Sequence, residues 1–372
     1  MKIPIRICLA ICSLALVSPA VLQPYVPQAS SWKGTREYRN GLTVVSNPES
    51  PLYKGEILRL EEDLTIGAMG GKTSGLISPW YITVDAEGKI YVMDQGDDCV
   101  KIYSKTGDFL RSIGRRGQGP GELENPDDIF VLENFDLVFE DYIKGLNYFG
   151  KDGSFRRFVP ASWMINVCIL PDGRAVIRVN AQKDRVNGKE IRYCDVDLKT
   201  IKTLLFIPSV PSDPDVFRPF APPFNWAVTT GERLALAYKP EYEIEVFGLR
   251  DSTRMTIKKA GNRVRISPEE LAEAKKRLKG RTLDAPAVHP AVQDLLADDE
   301  GRLIAGTFEK SKDKSSVFYD VFDQDGLYLA KIPIPAKIRP FVWKKGMMYG
   351  LEEDAEGNPL VKRYRVVWDL PR

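Results

Sequence analysis

The stretch from residue 79 to residue 122, PWYITVDAEGKIYVMDQGDDCVKIYSKTGDFLRSIGRRGQGPGE, decides the fold. It contains four short runs in which apolar and polar residues largely alternate, separated by turns such as DAEGK and SKTGD. Alternation with a period of two residues is typical of a β-strand that has one buried face. Four successive strands joined by tight turns predict one blade of a β-propeller.

A twelve-residue pattern of strand, turn and strand recurs six times along the chain. The copies are YITVDAEGKIYV (81–92), DIFVLENFDLVF (128–139), NVCILPDGRAVI (166–177), NWAVTTGERLAL (225–236), DLLADDEGRLIA (294–305) and RPFVWKKGMMYG (339–350). They align without a gap, and self-similarity of this kind indicates a repeat architecture. The sequence therefore predicts an all-β protein, a six-bladed β-propeller over residues 38–368.

The two ends of the repeat region complement each other. The last copy continues to RYRVVW (363–368) and then lacks a fourth strand, whereas the runs GLTVVSN (41–47) and EILRLEEDLTIG (56–67) precede the first copy. We therefore expect the N-terminal segment to complete the last blade and close the ring, because closure leaves no free sheet edge.

Two insertions interrupt the regular spacing of the copies. In SPEELAEAKKRLKG (267–280), Ser267 is a predicted N-cap, Pro268 the first helical residue and Glu270 the capping-box partner. Gly280 is the predicted end of this helix. The other insertion, residues 208–226, is rich in proline and aromatic residues, and we expect it to be an ordered loop on one face.

The blade pattern, together with the run IGRRGQGPGE (113–122), resembles the NHL-type six-bladed β-propellers of secreted bacterial proteins. The resemblance covers most of residues 38–368 and implies the fold, but it implies no particular chemistry. Amidating lyases among similar propellers use zinc sites rich in histidine. This chain has a single histidine, His289, and cannot build a site from two or three of them.

The N-terminus has the pattern of a secretory signal peptide over residues 1–20. Lys2 and Arg6 precede an apolar run at residues 7–17, and small residues follow at 18–20. Residues 21–37 would then be an N-terminal extension of the mature protein. We expect a periplasmic or extracellular protein with no transmembrane segment in the mature chain. Lipid attachment at Cys12 is the less favoured alternative, because its surroundings depart from a lipobox.

Charge and cysteine content exclude some classes of function. Without Lys2 and Arg6 the chain has 51 basic and 51 acidic residues, a balance that argues against nucleic-acid binding. Cys168 and Cys194 fall on neighbouring predicted strands and could pair, although buried free thiols are the favoured interpretation.

The first position of the twelve-residue frame is polar in every copy. The six residues at this position are Tyr81, Asp128, Asn166, Asn225, Asp294 and Arg339. Because the first strand of each blade lines the central channel, we expect these side chains to form a ring at one mouth. One interpretation is a polar, water-filled channel. The other is a ligand site, and four of these residues carry oxygen atoms that suit Ca²⁺: Asp128, Asn166, Asn225 and Asp294.

Trp80 and Trp226 adjoin the ring positions and are predicted to lie at the same mouth. Aromatic and polar side chains together are common in ligand sites. We therefore predict a binding or scaffold protein, monomeric by default, that recognises a small molecule, a glycan or a peptide there. A Ca²⁺-dependent lactonase or hydrolase, similar to gluconolactonase-type propellers, is the enzymatic alternative, and no other cofactor is expected. A protein–protein interaction module that uses the insertions is the third.

Overall fold

The computed structural model of the protein describes residues 28–29, 31–67, 75–142, 144–161, 163–209 and 213–369. The predicted signal peptide, residues 1–20, lies outside the described residues, as does much of the predicted extension. In the described part of the chain, five strands precede the first blade: β1 (Gln28–Ala29), β2 (Thr35–Arg39), β3 (Leu42–Asn47), β4 (Tyr53–Lys54) and β5 (Leu58–Ile66).

The first three blades are four-stranded antiparallel sheets. Blade 1 consists of β6 (Pro79–Val84), β7 (Ile90–Asp94), β8 (Cys99–Tyr103) and β9 (Phe109–Ile113). Blade 2 consists of β10 (Pro126–Val131), β11 (Leu137–Asp141), β12 (Gly145–Phe149) and β13 (Phe155–Pro160). Blade 3 consists of β14 (Met164–Ile169), β15 (Ala175–Lys183), β16 (Val186–Cys194) and β17 (Thr200–Pro208).

Two short strands and one helix lie between the remaining blades. After β18 (Val216–Phe217), blade 4 begins with β19 (Asn225–Val228), β20 (Arg233–Ala237), β21 (Glu243–Gly248) and β22 (Arg254–Lys259). Helix α1 (Pro268–Lys276) and β23 (Thr282–Leu283) precede blade 5, which consists of β24 (Asp294–Ala297), β25 (Leu303–Lys310), β26 (Ser316–Phe322) and β27 (Tyr328–Pro335). Blade 6 contains β28 (Arg339–Lys344), β29 (Met347–Glu353) and β30 (Pro359–Trp368). The prediction of a six-bladed β-propeller is confirmed.

The twelve-residue frame corresponds to a constant register between the first two strands of the blades. In five blades, the residue at the first frame position pairs with the residue twelve positions later: Tyr81 with Met93, Asn166 with Arg178, Asn225 with Ala237, Asp294 with Gly306 and Arg339 with Leu351. In blade 2 a bulge between Pro126 and Ile129 replaces this pair. The first-position residues of five blades therefore occupy equivalent places, and Asp128 lies within the bulge of blade 2.

Apolar side chains fill the spaces between neighbouring blades. Met93 of blade 1 and Ile129 of blade 2 are almost completely buried in the same cluster, and Ile82 of blade 1 shares another with Tyr349 of blade 6. Burial at about 25 cal/mol per Å² of apolar surface makes these interfaces the main source of stability. Among the described residues, no helix has the length and apolar character that crossing a membrane would require.

The N-terminal strands join two different blades. Strand β5 pairs antiparallel with β30 and is the fourth strand of blade 6. Strand β3 instead pairs in parallel with β22, and β2 pairs with β3, so blade 4 has six strands. The prediction that both early runs complete the last blade is therefore wrong for residues 41–47. Their strand covers the outer edge of blade 4, which would otherwise expose unpaired backbone groups.

Asn47, at the end of β3, holds the N-terminal segment against blades 4 and 5. Its Oδ1 accepts hydrogen bonds from Trp32 Nε1 at 3.0 Å and from the backbone N–H of Tyr328 at 2.8 Å. Its Nδ2 donates to the backbone carbonyls of Gly326 at 2.8 Å and Lys258 at 3.2 Å. Since Asn47 is buried, loss of this side chain would leave several polar groups without partners.

The two insertions associate with each other. Strand β18 of the first pairs in parallel with β23 of the second, and the Arg281 guanidinium lies 4.6 Å from the centre of the Phe217 ring. We call residues 213–224 and 260–293 the insertion cap. Helix α1 has the predicted Ser267 capping box but ends at Lys276, one turn before Gly280, and a separate turn with Gly280 at φ +86° follows.

We predict that Asn47→Ala lowers the free energy of unfolding by about 2–4 kcal/mol, because buried hydrogen-bonding groups lose their partners. Chemical denaturation followed by tryptophan fluorescence measures this change. The matched control is Asn180→Ala, which removes an exposed asparagine of β15. Equal stabilities for the two variants would contradict the role assigned to Asn47.

Candidate functional site

The candidate site lies at the channel end where the inner strands begin, which we call the mouth. The strands of each blade alternate in direction. The start of the inner strand, the turn between the second and third strands, and the connection to the next blade therefore lie at the same end. The insertion cap consists of two such connections and lies at the mouth beside blades 4 and 5.

An arc of contacts links the mouth residues of blades 5, 6, 1 and 2. The Trp80 Nε1 donates a hydrogen bond of 2.6 Å to Asp127 Oδ1, and the Arg339 guanidinium lies 4.9 Å from the centre of the Trp80 ring. Arg339 also interacts electrostatically with Asp294 and opposes the rise in the pKa of Asp294 that burial causes. Trp80 is 40% exposed, so its ring remains accessible beside a cation and a carboxylate.

Tyr81 and Asp128 belong to a second group, which also includes Glu140 of blade 2 and Cys168 of blade 3. Burial, reinforced by Asp127, raises the pKa of Asp128 to about 7. Burial and the nearby carboxylates of Asp128 and Asp127 raise the pKa of Glu140 to about 9. Glu140 is only 5% exposed, and at neutral pH its carboxyl is protonated. Like-charge repulsion and desolvation both favour this neutral state.

The ring residues of blades 3 and 4 are separate from these groups. Asn166 lies across the ladder from Arg178, and the Arg178 guanidinium stacks 4.1 Å from the centre of the Phe224 ring. Asn225 follows Phe224, and its Nδ2 is buried without a hydrogen-bond partner among the described residues. Asn166 and Asn225 thus have neighbours different from those of Asp128 and Asp294.

The calcium hypothesis stays a prediction. Asp128 and Asp294 belong to blades 2 and 5, which lie opposite each other in a ring of six. Each carboxylate has its own set of neighbours. Within the described ranges, no three residues of histidine, cysteine, aspartate or glutamate are arranged to hold a metal ion. A calcium ion would therefore depend on the two asparagines in addition to the two aspartates.

A pocket of about 420 Å³ opens at the mouth between blades 1 and 2. The side chains around it are those of Gln95, Asp98, Glu124, Asn125, Asp127 and Tyr142. Its carboxylates have partners: Arg116 lies 3.6 Å from Asp98, Lys144 lies 3.1 Å from Glu124, and Asp127 accepts the Trp80 hydrogen bond. Tyr142 is 58% exposed at the rim. The pocket therefore combines hydrogen-bonding groups with an accessible aromatic ring.

The other predicted side chains contribute less to this surface. Trp226 is half-buried, and its ring centre lies 6.0 Å from that of Phe224 in the core between blades 3 and 4. Cys168 and Cys194 are free thiols in one apolar cluster.

The sequence analysis missed several residues of the mouth, among them Asp127, Glu140, Arg178 and Tyr142. Glu140 and Arg178 lie twelve positions after Asp128 and Asn166, so they directly follow the frame in their copies. Extending the frame by one residue would have identified these two charged residues. Tyr142 lies in a turn and has no repeat signal.

We predict that Glu140→Gln flattens the pH dependence of stability. A carboxyl whose pKa is higher in the folded than in the unfolded state binds its proton more tightly when folded. The free energy of unfolding therefore falls as the pH rises from the ordinary pKa of the group to its pKa in the folded protein. This interval runs from 3.8 to about 7 for Asp128 and from 4.5 to about 9 for Glu140. The slope is at most about 1.4 kcal/mol per pH unit for each group. Thermal unfolding between pH 5 and 9 measures it.

The matched control for this prediction is Glu133→Gln, which neutralises an exposed glutamate of the same blade. We expect that variant to follow the wild-type pH profile. A Glu140→Gln protein that loses stability towards pH 9 as steeply as the wild type would contradict the placement of a buried, protonated carboxyl.

Comparison with known proteins supports the fold. A family model described as a 6-bladed beta-propeller matches residues 74–173, and no curated protein matches the chain. The chain is similar to a putative exported protein from Bacteroides fragilis, with 13% identity over 87% of this chain and 99% of the other and a TM-score of 0.56. A member of the DUF4221 family from Bacteroides vulgatus has 13% identity, coverage of 85% and 100%, and a TM-score of 0.53. The chain is a six-bladed β-propeller, as its resemblance to NHL-type propellers implies.

Proposed function

We propose that the protein is an exported binding protein that recognises a glycan at the mouth, between blades 1 and 2. The observation that carries this proposal is the pocket of about 420 Å³, which has carboxylate and amide side chains on its walls and Tyr142 at its rim. Carboxylate and amide oxygens accept hydrogen bonds from sugar hydroxyls, and amide N–H groups donate to them. An exposed aromatic ring supplies an apolar surface for a sugar ring.

The arrangement of Trp80 strengthens the case for an organised surface. Its indole N–H is fixed by Asp127, and Arg339 covers part of one ring face. A side chain that is already held in one orientation loses little rotamer freedom when a ligand binds, and so favours affinity. Asp127 also lines the pocket, which places Trp80 next to it. Tyr142 and Trp80 thus offer two exposed aromatic side chains near Asp127.

Export is supported by two observations. The chain begins with the pattern of a signal peptide. The structural relative from Bacteroides fragilis is itself described as a putative exported protein. An exported propeller with a polar and aromatic mouth is well suited to contact glycans outside the cytoplasm.

We predict that Trp80→Ala and Tyr142→Ala each weaken glycan binding at least about tenfold, because anchoring aromatic residues contribute more than 1 kcal/mol at binding sites. A glycan microarray of the mature protein identifies bound glycans, and isothermal titration calorimetry with the strongest of them gives the affinities. The matched control is Phe158→Ala, which removes a comparably exposed aromatic residue from the outer strand of blade 2.

Two results would contradict the proposal. One is the absence of binding to any glycan on the array. The other is a glycan whose affinity is unchanged in both mouth variants, which would move the site elsewhere on the protein. Selective binding of a peptide at the same residues would keep the mouth as the site but replace the ligand class.

A further inference from the structure

Arg178, on β15 at the mouth, lacks a carboxylate partner. Its side chain forms no ion pair or hydrogen bond with any residue that the structure describes, and its Nε is buried. The guanidinium stacks at 4.1 Å on the ring of Phe224, which fixes its plane. The only charged or titratable group that interacts with it among the described residues is the Tyr142 hydroxyl. Arginine stays charged under all ordinary conditions, so a cation is held here without a counter-charge.

Three other arginines that are largely buried are neutralised by carboxylates. Arg302 lies 2.6 Å from Asp298, Arg192 lies 2.7 Å from Glu190, and Arg363 lies 2.8 Å from Asp63. A buried donor without a partner destabilises the folded protein, and a charged one does so more strongly. Arg178 therefore differs from its counterparts in a way that a bound anion would explain.

The buried amide of Asn225 does not belong to this site. Phe224 and Trp226 pack against the apolar cluster shared with blade 3, whereas Ala227 packs against the cluster shared with blade 5. Because side chains alternate along a strand, Asn225 faces blade 5, on the side of β19 opposite to Phe224. The planar guanidinium of Arg178 alone presents paired N–H groups that match the two oxygens of a carboxylate.

We propose that Arg178 binds the carboxylate of an acidic sugar residue, such as a uronate, within the glycan that occupies the mouth. This inference rests on the proposed function. Tyr142 connects the two regions, because it lines the pocket between blades 1 and 2 and also interacts with Arg178. The sugar hydroxyls lie in the pocket, and the carboxylate lies towards blades 3 and 4. Acidic glycans are the preferred ligand class.

The test compares two matched probes by isothermal titration calorimetry: a trigalacturonate and the neutral trisaccharide made by reducing its carboxyl groups. The wild-type protein is expected to prefer the acidic probe at least about tenfold, since hydrogen bonds to charged groups contribute about 1.5–3 kcal/mol. Arg178→Gln should abolish this preference and leave the affinity for the neutral probe unchanged. Asn225→Ala, which removes an amide on the opposite side of β19, should keep the preference.

The matched control is Arg157→Gln, which removes the same charge from the outer strand of blade 2 and should keep the preference. Equal affinity of the wild type for both probes, or a preference that survives Arg178→Gln, overturns the anion site and leaves the proposed function standing.

If neither probe binds, the proposed function fails for these glycans, and the anion site is then tested alone. In that test, glucuronate is added at constant ionic strength, and chloride is the reference anion. Glucuronate must shift the Arg178 Nε–H resonance in ¹⁵N-detected NMR spectra. No shift overturns the inference.

Discussion

The pairing of β5 with β30 places residues near both ends of the described chain in a single sheet. A ring of blades whose interfaces are mostly apolar is stable only when the first and last blades are also packed against each other. Here blade 6 takes its outer strand from before blade 1, so opening the ring would break a long strand ladder as well as an apolar interface. The mouth depends on this closure, because blades 6, 1 and 2 together position Arg339, Trp80 and Asp127.

The N-terminal segment contributes more than one strand. Before it reaches blade 6 it covers the outer edge of blade 4 with β3, and Asn47 connects it to blade 5. The same half of the propeller carries the insertion cap at its mouth. Blades 4 to 6 are therefore reinforced from outside, while the mouth at blades 1 and 2 has the open pocket. This asymmetry explains why the ligand site we propose lies on one side of an almost symmetrical fold.

Sequence periodicity predicted the repeat number and the register because both follow from local patterns. Each twelve-residue copy contains its own turn and two alternating strands, and the residue at its first position pairs with one twelve positions later in five blades. The partner of GLTVVSN was not predictable in the same way. A strand with one apolar face fits any uncovered sheet edge, and only the path of the chain selects blade 4.

The sequence predicted only part of the candidate site, because some of its contacts are not local in the chain. The frame identified which residues begin the inner strands, but not which of them touch. Asp128 lies at a bulge and close to Glu140, and the Arg178 guanidinium stacks on Phe224 of the next blade. Contacts between blades join residues that are far apart in sequence, and a single sequence carries no periodic signal for them.

The central claim is that the mouth beside blades 1 to 4 is the ligand-binding surface. A crystal structure of the mature protein with a bound oligosaccharide tests it most directly. The account predicts sugar density in contact with Trp80 and Tyr142, with an acidic group near Arg178. Sugar density confined to the opposite end of the channel, or to the outer face of the insertion cap, would contradict it.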